Sequence, residues 1–118
     1  MRILYIALAG VAGTLARYGF EGWVNGRGGT LAVNLLGSLT LGFIVRYATG
    51  SIVVTPDVRA ALTIGFCGAF TTMSTFSYES MTLLWDGDYA RAALYMGGTI
   101  VGCLLAVILR TALANKLL

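Results

Sequence analysis

Four long stretches of nearly unbroken apolar residues, separated by short polar turns, decide what this chain is able to fold into. They cover residues 3–24, 30–47, 56–85 and 89–112. Each is near the roughly 20 residues that carry an α-helix across the hydrocarbon of a bilayer. Only 11% of the 118 residues are charged, whereas a soluble domain carries about a quarter. A soluble fold this short exposes much of its surface, and these residues do not cover it with charge. In lipid an apolar exterior is the correct one, so the composition points to an all-α integral membrane protein with four transmembrane helices.

The turn chemistry agrees with that division. Asn25-Gly26-Arg27-Gly28-Gly29 closes the first span, Thr49-Gly50-Ser51 follows the second, and Asp86-Gly87-Asp88 separates the third from the fourth. The third span opens on Thr55-Pro56-Asp57, which predicts Thr55 as N-cap, Pro56 in the first turn and Asp57 on the positive end of the helix dipole. Arg2 and Ala7-Leu8-Ala9 share features with a secretory leader, but Gly10 to Phe20 continues the same helical pattern, so the stretch is assigned as a span. One membrane domain, 1–118, is expected.

The formal net charge is +3, yet the basic residues are single and scattered. No run or stripe matches a phosphate backbone, which excludes nucleic acid as a partner. Cys67 and Cys103 both lie inside apolar stretches, as small buried side chains do. There is no histidine, so the commonest proton shuttle and metal ligand is missing. With no metal-ligand cluster and no nucleophile–base pair in view, an enzyme is not expected. Small residues recur at helical spacing (Ala9 and Gly13, Ser38 and Gly42, Gly98 and Gly102), which predicts closely packed helices. Arg2, Arg46, Arg59, Arg110 and Lys116 fall on the side of the termini, against Arg17, Arg27 and Arg91 opposite; this mild bias is compatible with insertion in either direction.

The third span carries the chemistry. Thr71, Thr72, Ser74, Thr75, Ser77 and Ser80 crowd one run behind Gly65 and Gly68. Glycines followed by paired threonines weaken a helix at its middle. A break at that depth persists only where its freed backbone faces protein, ions or a water-filled cavity. Hydroxyls bonding back to their own helix account for one or two of these residues, not for the run. Asn34, inside the second span, needs a partner, and packing glue and an ion-facing amide stand equally open for it. Arg17 either snorkels, pairs with Glu21 one turn later, or places positive potential at a pore mouth. Glu79 pairs with an arginine of another helix, caps the break, or serves gating; a structural pairing is the favoured expectation. Hydroxyls, an amide, an arginine and phenyl edges together suit an anion better than a cation.

The order and spacing of three motifs add a resemblance that spans nearly the whole chain. Gly10-Val11-Ala12-Gly13-Thr14-Leu15-Ala16-Arg17-Tyr18, then Gly29-Thr30-Leu31-Ala32-Val33-Asn34-Leu35-Leu36-Gly37-Ser38, then Gly65 to Glu79 with its paired Thr/Ser and Phe-Ser steps, resemble the first three helices of the Fluc (CrcB) family of fluoride channels. The resemblance implies an antiparallel dual-topology dimer, either a homodimer or a pairing with a paralogous subunit of opposite orientation, in the inner (plasma) membrane. It implies a structural sodium ion held at the dimer centre by the backbone carbonyls of Gly68 and Thr71. It also implies a fluoride pathway past Asn34, Phe76, Ser74, Thr75, Ser77 and the position of Met73, with Arg17 toward the vestibule, through which cytoplasmic fluoride escapes passively.

Two positions depart from the family pattern. Met73 stands where the family usually has phenylalanine, and a thioether offers no ring edge although it fills the volume. Thr99 and Cys103 occupy the part of the fourth helix where relatives often place an aromatic or histidine and a serine. The competing expectation is a proton-coupled exporter resembling the small multidrug transporters. Those need a carboxylate deep in the first span, whereas Glu21 lies near its end.

Overall fold

The computed structural model describes residues 1–117. Three helices are long and apolar enough to cross a membrane unaided: α1 (Arg2–Trp23), α2 (Arg27–Gly50) and the last helix, which runs Tyr89–Leu117. Between them the third span is assembled from pieces. It comprises α3 (Pro56–Ala60), a π-helical stretch (Ala61–Cys67), α4 (Gly68–Phe70) and α5 (Met73–Trp85), so the last helix is α6. At about 1.5 Å per residue, the 13 residues of α5 fall short of the roughly 30 Å hydrocarbon core. Only the two halves together reach across. Among the described residues there is no strand.

The ends follow the turn chemistry in part: α2 runs on through Thr49 and Gly50, and the last helix continues past 112 to Leu117. Thr55 Oγ1 accepts from the Val58 N–H at 3.3 Å, and Pro56 opens α3. Gly87 turns the chain at φ +74°, a backbone that side chains resist. At the first turn the helix resumes sooner than the glycine run suggests. Gly26 alone takes a positive φ, of +72°, while Gly28 and Gly29 already lie in α2. Gly29 is small because of tertiary contact: a Cβ there would strike the Val24 carbonyl.

Large apolar side chains cover the outside of the molecule, and several polar ones are buried among the apolar residues within. Leu8, Leu15, Leu94, Leu105 and Ile108 are exposed along their helices, whereas Thr30, Asn34, Thr72, Ser80 and Thr99 are buried. Water-soluble folds show the opposite arrangement; lipid accepts this one. Tyr18 and Trp23 near the end of α1, Trp85 at the end of α5 and Tyr89 at the start of α6 are also exposed. Aromatic residues gather in this way at a membrane–water boundary. The chain is a multi-pass membrane protein.

Glycines set how closely the spans approach. A Cβ on Gly65 would lie 2.6 Å from the Ile6 carbonyl oxygen and 2.9 Å from the Ala9 Cβ, and one on Gly13 would overlap the Phe66 backbone. Thus α1 and the π-helical stretch meet at backbone distance, through the small residues that the spacing singled out. A Cβ on Gly42 would lie 2.7 Å from the Val107 carbonyl oxygen, which fixes the crossing of α2 and α6. The pair Gly98 and Gly102 divides: Gly102 abuts Leu35, while Gly98 meets nothing within 4 Å.

Candidate functional site

The third span breaks at Thr71 and Thr72, whose backbones are both extended (φ −89°, ψ 159° and φ −146°, ψ 118°). A break inside lipid leaves donors and acceptors that must be satisfied locally. Asn34 of α2 meets this need at Thr72. Its Oδ1 accepts the Thr72 N–H at 2.8 Å, and its Nδ2 donates to the Thr72 carbonyl at 3.1 Å. The primary amide therefore serves the broken span as a neighbouring peptide would. One Nδ2 hydrogen is used, and the other is free for a second acceptor.

The remaining groups divide by sign. The Cys67 carbonyl accepts from both the N–H and the hydroxyl of Thr71, at 3.1 and 3.0 Å. The Thr72 N–H is turned to Asn34, so the Gly68 carbonyl loses the partner that a continuous helix would supply. On the other side, Thr72 Oγ1 caps α5 by accepting the Thr75 N–H at 3.3 Å, and it touches the Ser74 and Thr75 hydroxyls. Carbonyl ends of one half-helix thus stand next to amide ends of the other, negative beside positive.

A groove of about 330 Å³ opens against this break, with Asn34, Gly68, Thr71, Met73, Phe76 and Thr99 among its lining residues. Phe76 is buried and packs on Tyr95 with ring centroids 5.4 Å apart. Tyr95 donates to Glu79 Oε2 at 2.5 Å, and Thr30 donates to Glu79 Oε1 at 3.0 Å. One carboxylate therefore ties α2, α5 and α6 together behind the phenyl ring. Thr99 is 5% exposed, lines the groove, and its hydroxyl has no partner.

The structure gathers Asn34, Gly68, Thr71, Met73 and Phe76 around one space, but it does not bring every expected residue there. Ser74 and Ser77 are exposed on α5, Thr75 is half-buried in the cap, and Arg17 is half-buried on α1 away from the groove. Met73 is 71% exposed and Phe76 6%, so the two positions differ sharply in their surroundings. Two readings of the sequence need correction. Among the described residues Arg17 and Glu21 form no ion pair; the ion pairs are Arg2–Asp57 and Arg91–Asp88. Arginine ahead of glutamate is the weaker order on a helix. Back-bonding of hydroxyls is also commoner than expected: Thr71, Ser77 and Ser80 each donate to the carbonyl four residues earlier. Glu79 has a structural pairing, with hydroxyls and not with an arginine.

Thr30, the capping role of Thr72, and Tyr95 were not anticipated. Tyr95, Thr99 and Cys103 recur every four residues, and that spacing places polar groups on one face of α6. This was the available signal. Gly68 and Thr71 present freed carbonyl oxygens at the end of α4, a donor set that suits a small hard cation. No cluster of His, Cys, Asp and Glu able to hold a metal is found among the described residues.

Comparison with known proteins agrees with this geometry. The family model described as CrcB-like protein, Camphor Resistance (CrcB), matches residues 4–111. A protein of Geotalea uraniireducens named fluoride-specific ion channel FluC is 44% identical, over 86% of this chain and 87% of its own. The like-named protein of Geobacter metallireducens is 43% identical over 88% and 89%, and that of Chlorobaculum tepidum 42% identical over 96% and 94%. With the match covering nearly its whole length, this chain belongs to the CrcB family.

Proposed function

We propose that the chain is a passive, fluoride-selective ion channel that lets cytoplasmic fluoride escape across the inner (plasma) membrane. The observation that carries the proposal is the clamp of Asn34 on Thr72, which holds a span open at mid-length against a mainly apolar groove that Asn34, Thr71, Thr72 and Thr99 also line. Its relatives' printed name supplies the ion.

Fluoride is compact and strongly hydrated, so its pathway must replace water with closely spaced donors. Here Asn34, with one Nδ2 hydrogen unused, Thr99, with an unpartnered hydroxyl, and Phe76 line one groove. Met73 lies at its margin. Ser74, Thr75 and Ser77 extend the track along α5, with Ser77 releasing its bond to the Met73 carbonyl when it donates to the ion. Arg17 raises the local anion concentration at the vestibule.

The arrangement is completed by a second subunit, in our proposal an antiparallel copy of this chain or a paralogous chain of opposite orientation. The exposed Gly68 and the half-buried Thr71 then face their counterparts across the dimer axis. Their carbonyls would hold a sodium ion there, which supplies positive charge to a cluster of converging carbonyl dipoles. The chain's own contribution is to keep those carbonyls free by engaging the Thr72 N–H elsewhere.

The test is flux through the purified, reconstituted protein, read with ion-selective electrodes. Fluoride efflux far above chloride efflux, needing no proton gradient and falling when sodium is replaced, is expected. Equal fluoride and chloride rates would overturn the ion assignment. Dependence on a proton gradient would move the chain to the exporter class, and indifference to sodium would remove the central ion.

A further inference from the structure

At the opposite pole from the exposed tryptophans, α1, the end of α2 and α3 enclose a second cavity. Its volume is about 450 Å³, and Arg2, Arg59, Thr63, Ala48, Ala60 and Ile64 are among its lining residues. Arg2 is only partly neutralised: its Nε bonds Asp57 at 2.8 Å, and its terminal nitrogens are left available. Arg59 has no ion-pair partner among the described residues. The Thr63 hydroxyl is already committed to the Arg59 carbonyl at 2.9 Å, so the donors at the mouth are the two guanidiniums. Ala48, Ala60 and Ile64 add apolar wall beside them.

Two further observations bear on what enters. Arg46 and Lys116, with Arg110 over the Phe43 ring, share this pole, so among the described residues the field there is positive against a single acidic side chain, Asp57. The adjoining Ser51–Val54 loop exposes Ile52 (102%) and Val53 (82%). Two exposed branched apolar side chains on a loop tip are costly in water and favourable among acyl chains.

We infer that this cavity binds one anionic phospholipid, its headgroup phosphate between Arg2 and Arg59 and an acyl chain against Ala48, Ala60 and Ile64. Guanidinium suits phosphate oxygens through paired N–H donors, and a cavity lined by two arginines together with Ala48, Val54, Ala60 and Ile64 matches an amphiphile better than a free anion. The inference rests on placement in a membrane and not on which ion is conducted.

The full-length protein is purified in detergent and offered equal amounts of phosphatidylglycerol and phosphatidylcholine with identical chains. Native mass spectrometry then counts what is retained. The wild type is expected to keep phosphatidylglycerol in preference; Arg59→Gln should lower that preference about fivefold, Arg59→Lys should restore most of it, and Arg91→Gln at the far pole should leave it unchanged. Fluoride efflux by Arg59→Gln shows that the variant is folded. Equal retention of the two lipids, an unchanged preference in Arg59→Gln, or displacement of the lipid by millimolar inorganic phosphate would each overturn the inference. A photoreactive phosphatidylglycerol used on the wild type provides a readout independent of any variant. Adducts on the Arg59–Ile64 peptide support the site, and adducts confined elsewhere refute it.

Discussion

Replacing Asn34 by aspartate changes one donor into an acceptor and tests the clamp directly. Oδ1 still receives the Thr72 N–H at 2.8 Å, but the second oxygen now confronts the Thr72 carbonyl where Nδ2 donated at 3.1 Å. The lost hydrogen bond is worth about 1 kcal/mol, and a buried carbonyl without a partner costs about 1–3 kcal/mol more, with a buried carboxylate raising the penalty further. A total of about 3 kcal/mol lowers the share of molecules holding the break closed-paired by roughly a hundredfold. Asn34→Leu fills a similar volume but leaves both Thr72 groups unsatisfied, for about 2–6 kcal/mol. Both variants should therefore lose fluoride efflux from proteoliposomes by about two orders of magnitude and unfold earlier in a denaturing detergent titration. Either variant keeping wild-type efflux with an unchanged unfolding midpoint would show that the clamp does not maintain the conducting structure.

Three further outcomes follow from the same geometry. Phe76→Ile, which removes the buried ring packed against Tyr95, should cut fluoride efflux severely, while Met73→Phe at an exposed position should preserve it; both are read with the electrode. Tyr95→Phe leaves the Glu79 carboxylate with Thr30 alone and should lower stability by about 1–3 kcal/mol, measured as a shift in the unfolding midpoint. Gly13→Val drives a side chain into the Phe66 backbone and should cost upward of about 1–3 kcal/mol through overpacking, seen as loss of folded protein in gel filtration.

Much of the fold was legible along the chain because it is local. Thr55-Pro56-Asp57 caps a helix by its own chemistry, and Gly87 turns by its own φ. The break was legible as a weakness, since Gly68, Thr71 and Thr72 disfavour a continuous helix wherever they stand. The roles of the hydroxyls were not. Ser77 and Ser80 bond back to their own helix, whereas Thr72 caps the next, and nothing in the residue type distinguishes these uses. The extent of α2 was similarly hidden: Gly28 and Gly29 spell a loop, but close approach to Val24 makes Gly29 a helical contact.

By itself the sequence determined that this chain lives in lipid, as four apolar stretches of which the third is interrupted, because composition and periodicity act over one helix at a time. Only the tertiary structure decided which groups repair that interruption. Asn34 and Thr72 are 38 residues apart, and Thr30 and Glu79 are 49. Their meeting depends on the depth and rotation at which glycine-lined helices lock together, and those two variables belong to the packed bundle rather than to any segment of it.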